Sequence, residues 1–323
     1  MASFRCKFED GLRDRGIEVT HNPDKQADAI LVIGGTRDML PLWRAKQRGT
    51  RIVQRLDGIN WVHRRRNTGF NHFLRAEYGN FILSFIRRSI ATRISYQSEF
   101  SRKWWEDWYG PTRVVSTSIH NGVNLEIYSP TGQQARPIDR FRLLVVEGNL
   151  GGGYDMGLEN AASLAETLEE QHGFRMELMV VGKISDEHSA QVQACSQVLF
   201  NFIGEVPREQ IPEVNRSAHL LFSADINSAC PNSVIEALAC GLPVAGFETG
   251  SLRELVGKKA GGLVPYGGDP WRLETPDVPA LARAAAEILR QQERFRRAAR
   301  RRAQRMFDVN MMVDAYLKVL LED

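Results

Sequence analysis

The residues best placed to do chemistry lie in one stretch, 225–254, where Pro231-Asn232-Ser233-Val234-Ile235-Glu236 follows a small polar loop. Pro231 suits a first helical turn, and Asn232 or Ser233 can cap it. Val234, Ile235, Leu238 and Ala239 give one apolar helical face, and Gly241 ends the helix. The apolar run 218–224 ahead of it reads as a buried strand, and 242–245 as the next short one. At such a helix entrance the leading amides lack intrahelical acceptors and the dipole's positive end points the same way. The amides of Asn232, Ser233 and Val234 therefore suit a phosphate. Glu236 has two readings. It is a carboxylate that favours the helix dipole, or one that accepts two hydrogen bonds from the vicinal hydroxyls of a ribose beside that phosphate.

The remaining chain must supply elements that hold this unit. Residues 3–15 have helical spacing (Phe4, Phe8, Leu12) ended by Gly16, 17–19 read as a short strand, and 29–33 as a buried strand running into Gly34-Gly35. A helix over 40–47 and a strand over 51–56 follow. Strands alternating with helices predict a parallel, doubly wound sheet with ligands beyond the carboxyl ends of its strands. Trp104, Trp105, Trp108 and Tyr109 fall at helical spacing, as a packed face rather than a sugar platform. Residues 114–119 are the last strand before a linker-like stretch, 129–134. The second half repeats the pattern: a strand over 141–146 ending in Glu147-Gly148-Asn149-Leu150 and three glycines, a helix over 158–170, and a strand over 176–181 ending in Gly182-Lys183. Residues beyond Pro279 to Arg305 read as one helix, whose seven arginines from 294 to 305 form a solvated face. RNA binding lacks interleaved aromatics. An amphipathic last helix holds Met311, Met312, Val313, Tyr316, Leu317 and Leu320.

Composition sets bounds. At 323 residues, 43% hydrophobic and 25% charged, the chain can form two domains with a core each. A net charge of +3 says little about partners. No apolar run reaches the ~18 residues of a membrane span, and the first twenty residues show no secretory pattern. The four cysteines form no CxxC pair, so reduced cytosolic thiols are expected. No Asp-x-Asp occurs, which argues against a metal-chelating sugar-nucleotide site.

The segment Glu-Ala-Leu-Ala-Cys-Gly-Leu-Pro-Val from Glu236, followed by Thr-Gly-Ser-Leu-Arg-Glu-Leu-Val from Thr249, resembles the signature of group 1 (family 4) retaining glycosyltransferases of the GT-B fold. Three further segments resemble the same family. They are Ile119-His120-Asn121-Gly122-Val123-Asn124, Gln97-Ser98-Glu99-Phe100-Ser101, and Gly204-Glu205-Val206-Pro207, which is similar to the loop near the nucleobase. The resemblance implies two Rossmann-like, doubly wound parallel-sheet domains facing a cleft. An acceptor domain spans 1–130, a nucleotide-sugar donor domain 131–308, and a terminal helix, 309–323, packs back on the first. Glu236 then holds the ribose, and Asn232, Ser233 and Val234 the diphosphate. Ser228 and Asp225 bond sugar hydroxyls, while Gly148, Asn149, Lys183 and Val206 complete the donor site. In the first domain Asp57 and His63 are the candidates for touching the acceptor or transferred sugar. The alternative there is an Asp57-Gly58 turn and a solvated His63. The basic flank 63–66 with Arg87-Arg88 is a solvated face, or else meets an anionic acceptor or phospholipid surface.

The sequence departs from the family in three places. Glu147 and Gly148 stand where a basic pair for the diphosphate is expected, with no lysine before Lys183. Ser228 stands where the first of two glutamates, eight residues apart, is expected. The chain opens at what resembles the first helix, so a first strand and its glycine loop are expected to lie upstream or to be lost; if they are lost, the sheet lacks a central strand and is weakened. The function implied is transfer of a sugar from a nucleotide diphosphate-sugar to an acceptor hydroxyl with retention. It needs no cofactor, metal or nucleic acid, and serves cell-surface glycan or glycolipid synthesis in the cytoplasm or at the membrane periphery. A non-catalytic nucleotide-sugar-binding subunit, or an epimerase or phosphorylase on the same scaffold, are the alternatives.

Overall fold

A computed structural model describes residues 2–22, 24–66, 68–133, 136–150 and 156–322. The chain divides into two compact units, one of residues 1–123 with 307–323 and one of residues 124–306.

The first unit opens on helix α1 (Ala2–Arg13), which runs into Gly16 with φ +70°. Strand β1 (Ala29–Ile33), helix α2 (Met39–Gln47), strand β2 (Arg51–Leu56), helix α3 (Phe70–Phe85), strand β3 (Arg93–Tyr96), helix α4 (Glu99–Tyr109) and strand β4 (Val115–Ser118) follow. The sheet is wholly parallel in the order β1-β2-β3-β4. Successive side chains of a strand point to opposite faces, and β1 shows it. Ala29, Leu31 and Ile33 pack with Phe8 and Leu12 of α1, whereas Ile30 and Val32 pack with Leu42 and Ala45 of α2. The four described strands are consecutive neighbours in the sheet. β1 and β4 are the outer strands, and along the open edge of β1 residues 17–22 line a groove of about 680 Å³. Residues 17–19, expected as a strand, form none among the described residues; they line the groove without joining the β1 ladder. In α4, Trp104 and Trp105 are buried, the latter with its indole donating to the carbonyl of Asp57 at 2.8 Å.

The second unit contains β5 (Phe141–Asn149), α5 (Met156–His172), β6 (Met176–Lys183), α6 (Asp186–Ala194), β7 (Leu199–Gly204), α7 (Ile211–Arg216), β8 (Leu220–Phe222), α8 (Asn232–Ala239), β9 (Val244–Phe247), α9 (Leu252–Val256), β10 (Gly261–Val264), α10 (Val278–Arg290) and α11 (Gln292–Met306). Its parallel sheet has the order β10-β9-β8-β5-β6-β7. The chain therefore winds outward from β5 to β7, returns to β8 on the other side of β5, and winds outward again. That reversal makes β5 and β8 the topological switch point, the place where open parallel sheets bind ligands beyond their carboxyl ends. Leu143 and Val145 of β5 join Leu164, Ala165 and Leu168 of α5 and Leu281 and Ala285 of α10 in one core. Each of these leucine and valine side chains contributes about 1.5–3 kcal/mol on burial.

The carboxy-terminal run is two helices rather than one: Gln291 (φ −119°, ψ 36°) breaks it between α10 and α11. The arginines of α11 are also not all solvated. Arg300 donates to the carbonyls of Leu125 (2.9 Å), Tyr128 (2.7 Å) and Ala239 (2.6 Å). Arg302 reaches the carbonyls of Leu255 (2.9 Å) and Glu254. Ala239 ends α8 and Leu255 lies in the last turn of α9, so these guanidinium groups meet the negative ends of two helices. The last helix, α12 (Val309–Leu321), belongs to the first unit and puts Tyr316 edge-on against Phe4 and Phe8 of α1, with ring centroids 5.1 and 5.4 Å away.

Candidate functional site

Helix α8 is buried on every side, with Val234, Ile235, Ala237, Leu238 and Ala239 at most 1% exposed. Its first residue is Asn232, preceded by Pro231 at the N-cap, and no side chain caps it. Neither Asn232 nor Ser233 does the capping expected of it, because both stand inside the helix. The amides of Asn232, Ser233 and Val234 thus lead the helix without intrahelical acceptors, a donor set that suits an anion. Glu236 lies in the next turn, buried; burial first and then its charge push the Tyr128 hydroxyl up to about 12, and its charge adds to the upward push that burial gives the Cys240 thiol.

The loop ahead of α8 is locked from one side. Ser251 donates its backbone N–H to the Ser228 carbonyl at 2.9 Å, and Asn227, in the left-handed region with φ +59°, donates to Thr249 Oγ1 at 3.5 Å. Gly250 (φ +58°) lies so close that a Cβ would stand 2.5 Å from the Ser228 carbonyl oxygen, so only glycine fits. This explains the Thr-Gly-Ser segment after β9. The Oγ atoms of Ser223, Ser228 and Ser251 and Nδ2 of Asn227 are buried and bond nothing among the described residues. Buried polar groups are rarely left unpaired, and four together beside an uncapped helix entrance mark a place prepared for a polar ligand.

The sheet brings the remaining expected residues to the same edge. Glu147, Gly148 and Asn149 end β5, Lys183 ends β6, Val206 follows β7, and Asp225 follows β8. Leu150 N–H donates to the Lys183 carbonyl at 2.9 Å. Gly182 (φ +137°) lets the Glu147 carbonyl approach to where a Cβ would be, which accommodates the irregular register of β5. Glycines 151–153 lie outside the described residues. Glu147 and Asp225 end neighbouring strands at the switch point. Burial pushes both carboxyls well above the usual carboxylate range, and the charge of Asp225 raises Glu147 further.

In the first unit Asp57 follows β2. Its carbonyl accepts from Ser101 Oγ (2.9 Å) and Trp105 Nε1 (2.8 Å), and burial raises its carboxyl, with Arg55 opposing. His63 is not solvated: it is buried, its Nε2 is 2.8 Å from Glu77 Oε1, and its ring meets Phe73 edge-on at 5.1 Å. Arg64 grips the same carboxylate at 2.6 and 2.8 Å and holds Glu77 down to about 2. A buried trio escaped the sequence reading. Arg55, 3% exposed, donates to Asn121 Oδ1 at 2.6 Å, stands 3.9 Å from the Phe4 ring centre, and Asn121 meets Gln97 at 3.3 Å. Asn121 and Gln97 were legible as family segments; Arg55 carried no signal of its own.

These two parallel-sheet α/β units define a GT-B fold. Sucrose-phosphate synthase from Thermosynechococcus elongatus superposes with a TM-score of 0.70 at 18% identity, over 97% of this chain and 75% of that one. Anabaena HepE, in complex with UDP and glucose, gives 0.61 at 16% identity, over 90% and 77%. Residues 151–306 match the family profile described as Glycosyl transferases group 1. That match lies within the second unit, and the chain spans about a fifth to a third of the length of the curated relatives it matches. A stretch of 99 residues is 35% identical to 2-deoxystreptamine N-acetyl-D-glucosaminyltransferase of Streptomyces fradiae, covering 30% of this chain and 21% of that protein's length.

Proposed function

We propose that this protein transfers a sugar from a nucleotide diphosphate-sugar to an acceptor hydroxyl with retention of configuration. The observation that carries the reading is the uncapped entrance of α8 in a segment whose buried Asn227 Nδ2 and Ser228 Oγ bond nothing among the described residues, at the carboxyl edge of the six-stranded sheet. The donor binds the second unit, where Glu236 holds the ribose and the amides of Asn232, Ser233 and Val234 take the charge that develops on the leaving diphosphate. Ser228 and Asp225 bond the sugar hydroxyls. Gly148, Asn149, Lys183 and Val206 border the same edge, with Lys183 as its cation. Retention fits attack on the donor's front face assisted by the leaving phosphate, so no protein nucleophile is nominated. No cofactor or metal enters this scheme, since the nucleotide-sugar is the substrate. Asp57 in the first unit is the proposed acceptor contact, and His63 holds its place through Glu77.

The acceptor is proposed to be a sugar or lipid-linked sugar in glycan or glycolipid synthesis, reached at an anionic membrane surface. Helix α3 supports membrane contact. Phe70, Leu74, Tyr78, Phe81 and Phe85 form one outward stripe, with Phe70 75% and Phe81 62% exposed, while Ala76, Asn80 and Ser84 face inward. Arg65, Arg75 and Arg88 flank it, and Glu77, the one acid of α3, is already paired with Arg64. An aromatic face beside uncompensated arginines suits an anionic bilayer; a two-fold dimer through this face would bring like charges together. No helix among the described residues is long and apolar enough to cross a membrane. A second reading, an amine-bearing cyclitol acceptor, is favoured by the 2-deoxystreptamine named for the Streptomyces relative.

The test is incubation with a panel of nucleotide-sugars and acceptors, with the anomeric configuration of product read by NMR. A product of the donor's own configuration supports the proposal. Inversion contradicts retention, isomerised donor without acceptor shows an epimerase, phosphate-dependent glycan cleavage shows a phosphorylase, and binding without turnover shows a silent subunit.

A further inference from the structure

A second cavity, of about 600 Å³, lies at the opposite edge of the six-stranded sheet, where β5 begins at Phe141 and residues Arg175 and His219 lead into β6 and β8. Five arginines line it, Arg136, Arg140, Arg175, Arg216 and Arg296, against one carboxylate, Asp139. Asp139 is already taken by Arg140 at 2.6 Å and more loosely by Arg175 at 3.7 Å. Among the described residues no carboxylate forms an ion pair with Arg136, Arg216 or Arg296.

The state of these three groups is unusual. Arg296 is only 9% exposed, and its one hydrogen bond goes to the Ala218 carbonyl at 3.2 Å. Arg216 reaches the Ser129 carbonyl at 3.4 Å, and its Nε is buried with no acceptor. Burial, then the charge of Arg136, pulls Arg296 down to about 10. Burial, then Arg136, Arg296 and Arg142, pulls His219 down to about 4, leaving a neutral ring whose Nδ1 accepts from the Arg142 amide at 2.9 Å. The nearby Arg142 and Glu177 side chains compensate each other at 3.1 Å. Buried charges are ordinarily paired, because an unpaired one forfeits its hydration without recompense. Here no described carboxylate pairs with these groups, Glu293 acting on Arg296 without an ion pair, and the space beside them is open.

We propose that this pocket is a second ligand site, built for a small phosphate-bearing anion that supplies the missing counter-charge. Guanidinium forks bind phosphate oxygens in pairs, and a phosphate brings more negative charge to several arginines than a single carboxylate or halide does. The volume lies within the range of small-molecule sites, so the phosphate group can be free or carried on a metabolite. The site stands at the amino ends of strands whose carboxyl ends carry the donor residues, so occupancy there leaves the α8 entrance free. It is independent of the transferase reading.

The test titrates the full chain with pyrophosphate, inorganic phosphate and glucose 6-phosphate by calorimetry and thermal shift, against chloride at matched ionic strength. Saturable stabilisation is expected. Arg136 makes no hydrogen bond or ion pair among the described residues, so Arg136→Gln should melt no lower than wild type while its phosphate affinity falls at least tenfold. A merely structural arginine would show the reverse. Arg296→Gln, if it remains folded by circular dichroism, should lose affinity likewise. Glucose 6-phosphate binding tenfold tighter than phosphate assigns the site to a phosphorylated metabolite, and equal affinities assign it to phosphate itself. The proposal is overturned if no anion stabilises beyond chloride, or if Arg136→Gln binds pyrophosphate as wild type does.

Discussion

Gly250 and Ser228 stand back to back: a Cβ on the glycine would lie 2.5 Å from the serine's carbonyl oxygen, and the next amide, of Ser251, bonds that same oxygen at 2.9 Å. The loop that carries Ser228 into the proposed donor site is therefore held in place by a residue that must be glycine. Gly250→Ala meets both a positive φ and a backbone collision. A loss of about 1–3 kcal/mol is expected by urea denaturation. Donor affinity should fall with it; unchanged stability and binding would mean that the loop has room to move.

Glu147 and Asp225 predict a pH dependence. Their carboxyls are raised in the folded protein, so the native state binds more protons than the unfolded one, and stability falls as pH rises from about 4, the unperturbed carboxylate range. Ionisation also places negative charge at the edge proposed for the diphosphate, so donor affinity should fall over the same interval. In the double variant Glu147→Gln/Asp225→Asn both slopes should flatten, as read by thermal melts and calorimetry from pH 5 to 9. A slope that persists in the variant would assign the effect to other groups.

Arg300 bonds three carbonyls at once. Arg300→Met keeps most of the apolar stem but leaves those carbonyls unsatisfied. It should cost about 2–4 kcal/mol, since hydrogen bonds to charged groups contribute ~1.5–3 kcal/mol each and losses do not add fully. Arg301→Met, on the exposed face of the same helix, serves as the control and should change stability by less than about 0.5 kcal/mol. Equal effects would contradict the clamp.

The stripe on α3 predicts sedimentation with vesicles containing phosphatidylglycerol and not with pure phosphatidylcholine. Phe70→Ser/Phe81→Ser should abolish it without lowering the melting temperature, because both rings are exposed. Self-association of the wild type that disappears in the variant, with no vesicle binding, would instead make this face a dimer contact.

Much of the fold was legible because its signals are local. Periodicity located β2 over Arg51–Leu56 to the residue and α2 within one, and glycines marked helix ends at Gly16 and Gly241. What failed depended on tertiary surroundings. Residues 17–19 have strand composition but stay apart from the open edge of β1 across a groove. The arginines of α11 look alike in sequence, yet Arg300 and Arg302 are drawn inward by helix carbonyls. Pro231 takes the N-cap because the chain enters α8 one residue earlier than Asn232 and Ser233 suggested. The site was legible as a motif around Glu236. Its unpartnered serines, the proton-holding pair at the switch point and the buried Arg55 are properties of neighbours brought together only by folding.

The central claim is that Glu236 holds a nucleoside ribose beside the α8 amides. Calorimetric titration of wild type and Glu236→Ala with the nucleotide-sugar that the wild type binds tests it most directly, with circular dichroism confirming that the variant is folded. Loss of hydrogen bonds to a charged acceptor of ~1.5–3 kcal/mol predicts an affinity lower by roughly ten- to a hundred-fold. A folded variant that binds the donor as tightly as wild type would contradict the account.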